Sequence, residues 1–187
     1  MDIVIDVSNL ILETPRLILR AWRESDLEDL FEYASVPGIG EMAGWAHHET
    51  MDESLRVLRI FLAEKNVLAI VHKETEKVIG SFGFHLSWAN NEPEYRDLIQ
   101  KEIGYVLAKD YWGQGLMPEA VEAVSRYLFD ECGVEAVTVG HFSANSQSGR
   151  VIEKCGFTFV RSGTFHAKQL GRDFDDRKYI RVKTETV

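Results

Sequence analysis

The segment Ile103–Ala120, I-G-Y-V-L-A-K-D-Y-W-G-Q-G-L-M-P-E-A, limits the possible folds more than any other stretch of the chain. An apolar run from Ile103 to Ala108 enters a loop with glycines at 113 and 115. A helical pattern then starts at once, from Leu116 to Cys132, with Ala120, Val121, Val124 and Leu128 on one face and Gly133 as the C-cap. Such a helix presents its first, unpartnered amides and the positive end of its dipole beyond the end of the strand. Glycines let an anion approach the backbone closely, and Pro118 lies in the first turn, where a missing N–H costs nothing. The segment is a candidate anion site. It is not a dinucleotide fingerprint, because Pro118 replaces the third glycine of G-x-G-x-x-G. The acid about 20 residues on, Glu135, precedes the next strand instead of ending it. Nor is it a Walker loop, since no G-K-S or G-K-T occurs. On the glycines alone, an ordinary strand-to-helix turn remains open.

The rest of the chain supplies mixed elements around this segment. Residues 10–22 read as a strand with period-two alternation after Pro15. Ser25 and Glu28 form an S-x-x-E capping pattern, so a helix is expected to about Ser35. Thr50 and Glu53 form a T-x-x-E pattern, and Leu55, Leu58, Phe61 and Leu62 place a second helix to about Lys65. Val67–His72 and Val78–Trp88 read as a hairpin, Ala89–Arg96 as a polar loop and Ile103–Ala108 as a strand. After the helix from Leu116, Ala136–Phe142 reads as a strand and Ser146–Cys155 as a helix stopped by Gly156. Phe157–Phe165 and Tyr179–Lys183 are the last strands. The order is β-α-α-β-β-β-α-β-α-β-β, an α+β architecture with a largely antiparallel sheet.

Composition narrows the function classes. At 187 residues the chain is expected to form one domain, 1–187, since domains usually hold about 100–200 residues. Hydrophobic residues make up 45% and charged residues 27%, as in an ordinary globular protein. Lys and Arg total 21 against 30 Asp and Glu, a net charge of −9, which disfavours nucleic acid and anionic membranes as partners. No run of about 18 apolar residues suggests a transmembrane helix. The N-terminus lacks the basic and apolar regions of a secretory signal. Cys132 and Cys155 have no zinc spacing and read as two buried thiols, which fits a cytoplasmic location. His47 and His48 read as a surface loop, with no metal expected.

Other stretches turn the glycine loop into something more specific. Asn145–Phe157 reads N-S-Q-S-G-R-V-I-E-K-C-G-F, E-T-P-R-L-I-L-R begins at Glu13, and V-I-G-S-F-G-F spans residues 78–84. With Y-W-G-Q-G-L-M these resemble the GCN5-related N-acetyltransferase (GNAT) superfamily over about residues 12–179. Within it they look like the RimJ/RimL-like branch of ribosomal-protein N-terminal acetyltransferases. The resemblance implies a six- or seven-stranded sheet with about four helices, splayed between its two central strands. It implies acetyl-CoA as co-substrate. The superfamily loop, R/Q-x-x-G-x-G/A, aligns with Trp112 and Met117 at its outer positions, so both depart from it. The implied pyrophosphate ligands are the amides of Gly113, Gly115, Leu116 and Met117, with Gln114. The backbone of Leu107 and Lys109 would bond the pantetheine amides, and an amide near Leu107 would polarise the acetyl carbonyl, an effect often worth about 3 kcal/mol. Asn145 would bond the cofactor while capping the helix that follows it. Ser148, or more weakly Tyr105, would protonate the leaving thiolate. Arg150 and Lys154 would meet the 3′-phosphate.

The resemblance implies an amine acceptor, whose reactive form is the neutral one. An α-amine with a pKa near 7.8 is about 15% neutral at pH 7, whereas a lysine near 10.4 is under about 0.1%. An N-terminal acetyltransferase therefore needs only a modest base. Glu102, at the start of the strand leading to the loop, is the candidate, with Glu41 second. Trp45 and Trp88, with Glu92 and Glu94, are candidates to read a cationic or peptidic acceptor. A wall of the core and solvated charge are their competing roles. The acidic balance suits a basic protein N-terminus. A small amine, amino acid or antibiotic is the alternative acceptor, and a CoA-binding module without turnover is the alternative of another class. Cys155, at the end of its helix, is no nucleophile. A homodimer is implied by analogy alone.

Overall fold

The computed structural model describes residues 1–184. The described residues form eight strands and four helices of at least two turns. In order they are β1 (Ile11–Glu13), β2 (Leu17–Ala21), α1 (Leu27–Ala34), α2 (Met51–Glu64), β3 (Val67–His72), β4 (Val78–His85), β5 (Gln100–Leu107), α3 (Leu116–Asp130), β6 (Ala136–Phe142), α4 (Ser146–Lys154), β7 (Thr158–Ala167) and β8 (Arg172–Val182). They make one sheet in the order β1-β2-β3-β4-β5-β6-β8-β7. Every pairing is antiparallel except β5 with β6.

The sheet carries an apolar layer on each face. Alternation along β3 shows how one sequence serves both. Leu68 and Ile70 join a core with Phe82, Ile103, Val121, Val124 and Leu128, beneath α3. Ala69 and Val71 join a second core with Trp22, Leu30, Tyr33 and Leu58, beneath α1 and α2. All six residues of β3 are buried, which is why V-L-A-I-V-H reads as a nearly unbroken apolar run. Each fully buried Leu or Val on α3 contributes about 1.5–3 kcal/mol, so the helix that follows the glycine loop is firmly seated.

Several expected boundaries change. The strand over residues 10–22 is two strands, because Thr14–Arg16 reverses the chain and pairs Ile11 with Arg20. That raises the count to eight. The Ser25–Glu28 capping pattern does not form: Ser25 lies in a short 3-10 turn, which the Asp26 carboxylate closes by accepting the Arg23 N–H at 2.8 Å, and Asp26 stands at the N-cap position of the first helix without a side-chain cap bond to it. The Thr50–Glu53 capping box forms as expected. β4 ends at His85, where Trp88–Asn91 turns away. β5 starts at Gln100, three residues early, since parallel pairing with β6 begins there. β8 starts at Arg172 instead of Tyr179. Its polar first half is held as a strand by pairing with β7 on one side and, from Asp176, with β6 on the other. His47 and His48 lie in a loop as expected, but His47 is half-buried and His48 is buried and bonded to Ser54 at 2.7 Å. Cys132 is half-buried, while Cys155 is buried.

Candidate active site

The site begins with a failure of pairing at the centre of the sheet. β5 and β6 pair only over Gln100–Glu102 and Ala136–Thr138. Beyond that, β5 stays with β4 as far as Leu107, opposite Gly80. β6 stays with β8 as far as Phe142, opposite Asp176. The two halves of the sheet part, and a V-shaped opening runs between them. Ala108 donates its N–H to Ile79 at 2.7 Å, which fixes the alternation of the ladder. By that alternation the backbone polar groups of Tyr105 and Leu107 face the opening.

At the wide end of the opening the chain turns through Lys109–Tyr111 into the glycine loop. Gly113 and Gly115 have φ of +75° and +76°, a left-handed conformation that costs a side-chain-bearing residue about 1–2 kcal/mol. Gly113 has open space where a Cβ would stand. Trp112 departs from the superfamily pattern but has a clear function as an anchor. Its indole N–H donates to the Leu107 carbonyl at 2.7 Å and its ring packs against both cores.

Two cavities flank the opening. The first, about 390 Å³, is lined by Leu107, Gly113, Gly115, Leu116, Met117 and, from α4, Arg150 and Lys154. The second, about 410 Å³, is lined by His85, Glu102, His141, Asp176 and Lys178, with Phe165 from β7. Tyr105, Asn145 and Ser148 line both, as do Met42 and Ala43 from the short turn Glu41–Ala43. The cavities therefore meet at one place. There the Tyr105 hydroxyl and the Ser148 hydroxyl are 3.2 Å apart. Asn145 caps α4 by accepting the Ser148 N–H at 3.1 Å, and its side-chain amide donates to the Met42 carbonyl at 3.4 Å.

The electrostatics of the second cavity are set by burial. Desolvation pushes the Glu102 carboxyl above the ordinary carboxylate range. The Lys178 ammonium and the Trp88 N–H, which donates to Glu102 at 3.0 Å, pull it back, and Asp176 pushes it up. Desolvation likewise raises the Tyr105 phenol well above its usual value, against the Ser148 hydrogen bond, so it stays protonated at neutral pH. Burial, helped by Lys101 and opposed by Glu64, holds His85 below the usual histidine range and hence neutral. Asp176 is buried and paired with Lys178 at 2.7 Å.

Some expected site residues lie elsewhere. The Lys109 carbonyl accepts the Trp112 N–H at 3.1 Å, so it is used within the turn, and Lys109 lines neither cavity. The Gln114 side chain donates to the Asp110 carbonyl at 3.0 Å and also stands outside both. Trp45 packs over Gly40 and beside His48. Trp88 packs with Ala89, Ala136 and Ile180 under the Arg161 guanidinium. Neither tryptophan reaches a cavity wall. Glu92 pairs with Arg161 at 2.8 Å. Glu41 accepts the Gly38 N–H and the His47 ring at 2.7 Å each. Burial pushes it up, but these bonds outweigh burial and bring it down to about 2. Cys155 is raised to about 11, with burial the largest cause and Glu122 the next.

His85, His141, Asp176 and Lys178 are wall residues that sequence reasoning missed. For Asp176 and Lys178 a signal existed. They are two apart, as same-face residues of a strand must be, but the polar run R-D-F-D-D-R-K hides the strand.

Comparison with known proteins agrees with this geometry. A family model described as an acetyltransferase (GNAT) domain matches residues 16–158. The uncharacterized N-acetyltransferase YoaA of Bacillus subtilis (strain 168) is 29% identical over 182 residues, covering 92% of this chain and 97% of that protein. Among solved structures, a GNAT-family acetyltransferase from Bacillus anthracis superposes with a TM-score of 0.78 at 20% identity, over 92% of this chain and 98% of the other. A ribosomal-protein-alanine acetyltransferase from Vibrio fischeri does so with a TM-score of 0.68 at 17% identity, over 95% and 98%. These two likenesses show the shared fold. Loop, splayed sheet and family match converge on one conclusion: the chain belongs to the GNAT acetyltransferase family.

Proposed function

We propose that this acetyltransferase moves the acetyl group of acetyl-CoA to the α-amine of a protein N-terminus by direct attack. The observation that carries the reading is the meeting of two cavities at Tyr105 and Ser148, one lined by the glycine loop with Arg150 and Lys154, the other by Glu102 and the Asp176–Lys178 pair. The residues of the first fit acetyl-CoA. The amides of Gly113, Gly115, Leu116 and Met117 suit a pyrophosphate, Arg150 and Lys154 a further phosphate, and the unpaired edge of β5 an extended chain with amides of its own. The Leu107 N–H, facing the opening, is the donor for the carbonyl oxygen where charge develops.

Glu102 takes the proton from the acceptor, directly or through water, and its raised pKa brings its basicity closer to that of the amine. The amine nitrogen bonds to the acetyl carbon and the carbon–sulfur bond breaks. Ser148 or Tyr105 returns a proton to the sulfur, each supported by the other's hydroxyl. The carboxylates Glu102 and Asp176 favour a cationic acceptor, and the ribosomal-protein specificity of one structural neighbour supports an N-terminal one. A small amine is the second reading, favoured by the size of the second cavity, about 410 Å³, which lies in the range of small-molecule sites.

The test is mass spectrometry after incubating the protein and acetyl-CoA with ribosomal proteins bearing free N-termini. A gain of one acetyl group at a single N-terminus is expected. Acetylation of a small-amine panel but of no N-terminus would move the assignment to the second reading.

A further inference from the structure

The turn Thr14–Arg16 is about 100 residues from the glycine loop in sequence, yet five contacts join it to the loop and the helix behind it. The Arg16 Nη1 donates to the Gln114 carbonyl at 2.9 Å. Its Nε and Nη2 fork onto Glu119 Oε2 at 2.8 and 2.7 Å. The Arg16 backbone N–H and the Thr14 hydroxyl donate to Glu119 Oε1 at 2.9 and 2.6 Å. Glu119 stands in the first turn of α3. Burial pushes its carboxyl up, but the bonds from Thr14 and Arg16 outweigh burial and keep it ionised.

The Gln114 carbonyl and the Gly115 N–H belong to one trans peptide plane and point in opposite directions. Holding the carbonyl toward Arg16 turns the Gly115 N–H the other way, on a residue that lines the first cavity. Gly115, which flanks this plane, lowers the steric barrier to its flip. A flip would put a carbonyl oxygen where an anion must sit. With the Arg16 side chain 45% exposed, its ion pair adds little stability in water, so the value of the contacts is geometric.

We propose that Arg16 is a positioning residue: anchored on Glu119, it latches the Gln114–Gly115 peptide with its N–H toward the pyrophosphate of the cofactor. This rests on the reading of the first cavity as the CoA site. Lysine cannot replace the fork, because one ammonium does not bridge carbonyl and carboxylate in a fixed plane.

The experiment is calorimetric titration of CoA and of pantetheine, which lacks the pyrophosphate, into the wild type, Arg16→Met, Arg16→Lys and Glu119→Met. The quantity read is the ratio of the pantetheine to the CoA dissociation constant, which a general loss of stability does not move. In Arg16→Met this preference for CoA is expected to fall about tenfold, the effect of one charge-assisted hydrogen bond, with partial recovery in Arg16→Lys. Glu119→Met is expected to lower it too. If Arg16 acted as a bare charge on the pyrophosphate, removing Glu119 would raise the preference, and that result overturns the latch. A wild-type ratio retained in Arg16→Met also overturns it, leaving the CoA site intact. No preference for CoA in the wild type overturns the site and the latch together. Should Arg16→Met fail to fold, Arg16→Lys and Glu119→Met carry the same test.

Discussion

The two cavities are built on different principles. The first is organised by local backbone geometry: the unpaired edge of β5, two left-handed glycines and the first turn of α3, with side chains of α4 beside them. Most of it comes from residues 105–118 and 145–154. The second is made of side chains brought from β4, β5, β6, β7, β8, α4 and the Glu41–Ala43 turn. A backbone site binds what is constant, because amides are present whatever the side chains. A side-chain site assembled from seven elements can change its occupant by single substitutions.

That contrast can be broken by experiment. The largest effect is expected from Gly115→Val, which puts a β-branched residue at φ +76°, strains the loop by about 1–2 kcal/mol or more and displaces the amides. CoA affinity measured by calorimetry should drop about a hundredfold, with the melting temperature lowered by only about 2–8 °C. Glu102→Gln should do the reverse. CoA affinity stays near wild type while kcat falls about ten- to a hundredfold. Since a base must be ionised, wild-type kcat rises with pH through the raised Glu102 pKa, so the acid limb of the profile lies above the ordinary glutamate range. The limb should vanish in Glu102→Gln.

A smaller change is expected where the cavities share a wall. Tyr105→Phe removes the hydroxyl that supports Ser148, and kcat should fall several-fold to about tenfold with CoA affinity nearly retained. A loss of CoA affinity instead would place Tyr105 in the first cavity's machinery. The smallest effect on function concerns the Glu41–Ala43 turn. Glu41 lies well below its ordinary value near 4.5, so its stabilisation is fully present above that pH and is lost as pH falls toward about 2. Glu41→Gln should cost on the order of 1–2 kcal/mol at neutral pH by chemical denaturation, and the gap from wild type should close in acid.

The same contrast explains what was legible in the sequence. The loop, α3 and α4 were readable because Gly113, Gly115 and Asn145 act through local backbone geometry, which leaves local signals. Their spacing carried the family resemblance, and the family match bears it out. The apolar period placed β3, α2 and α3 within a few residues. The second cavity was mostly illegible. Glu102 was found by its place before the loop, but Asp176 and Lys178 depend on where β8 lies in the sheet, and nothing near them in sequence says so. His85 is opposite Glu102 in the β4–β5 register, a relation visible only once that register is known. Trp45 and Trp88 were plausible as binding aromatics by residue type alone, and packing placed both away from the cavities. The Arg16 latch joins residues about a hundred positions apart, beyond the reach of any local pattern.

The central claim is that the opening between β5 and β6 holds acetyl-CoA against the glycine loop. The most direct measurement is calorimetric titration of acetyl-CoA into the wild type and into Gly115→Val. The account predicts saturable binding to one site in the wild type and its loss in a variant that remains folded. Wild-type protein that binds no acetyl-CoA, or a folded Gly115→Val variant that binds it as tightly, would contradict the account.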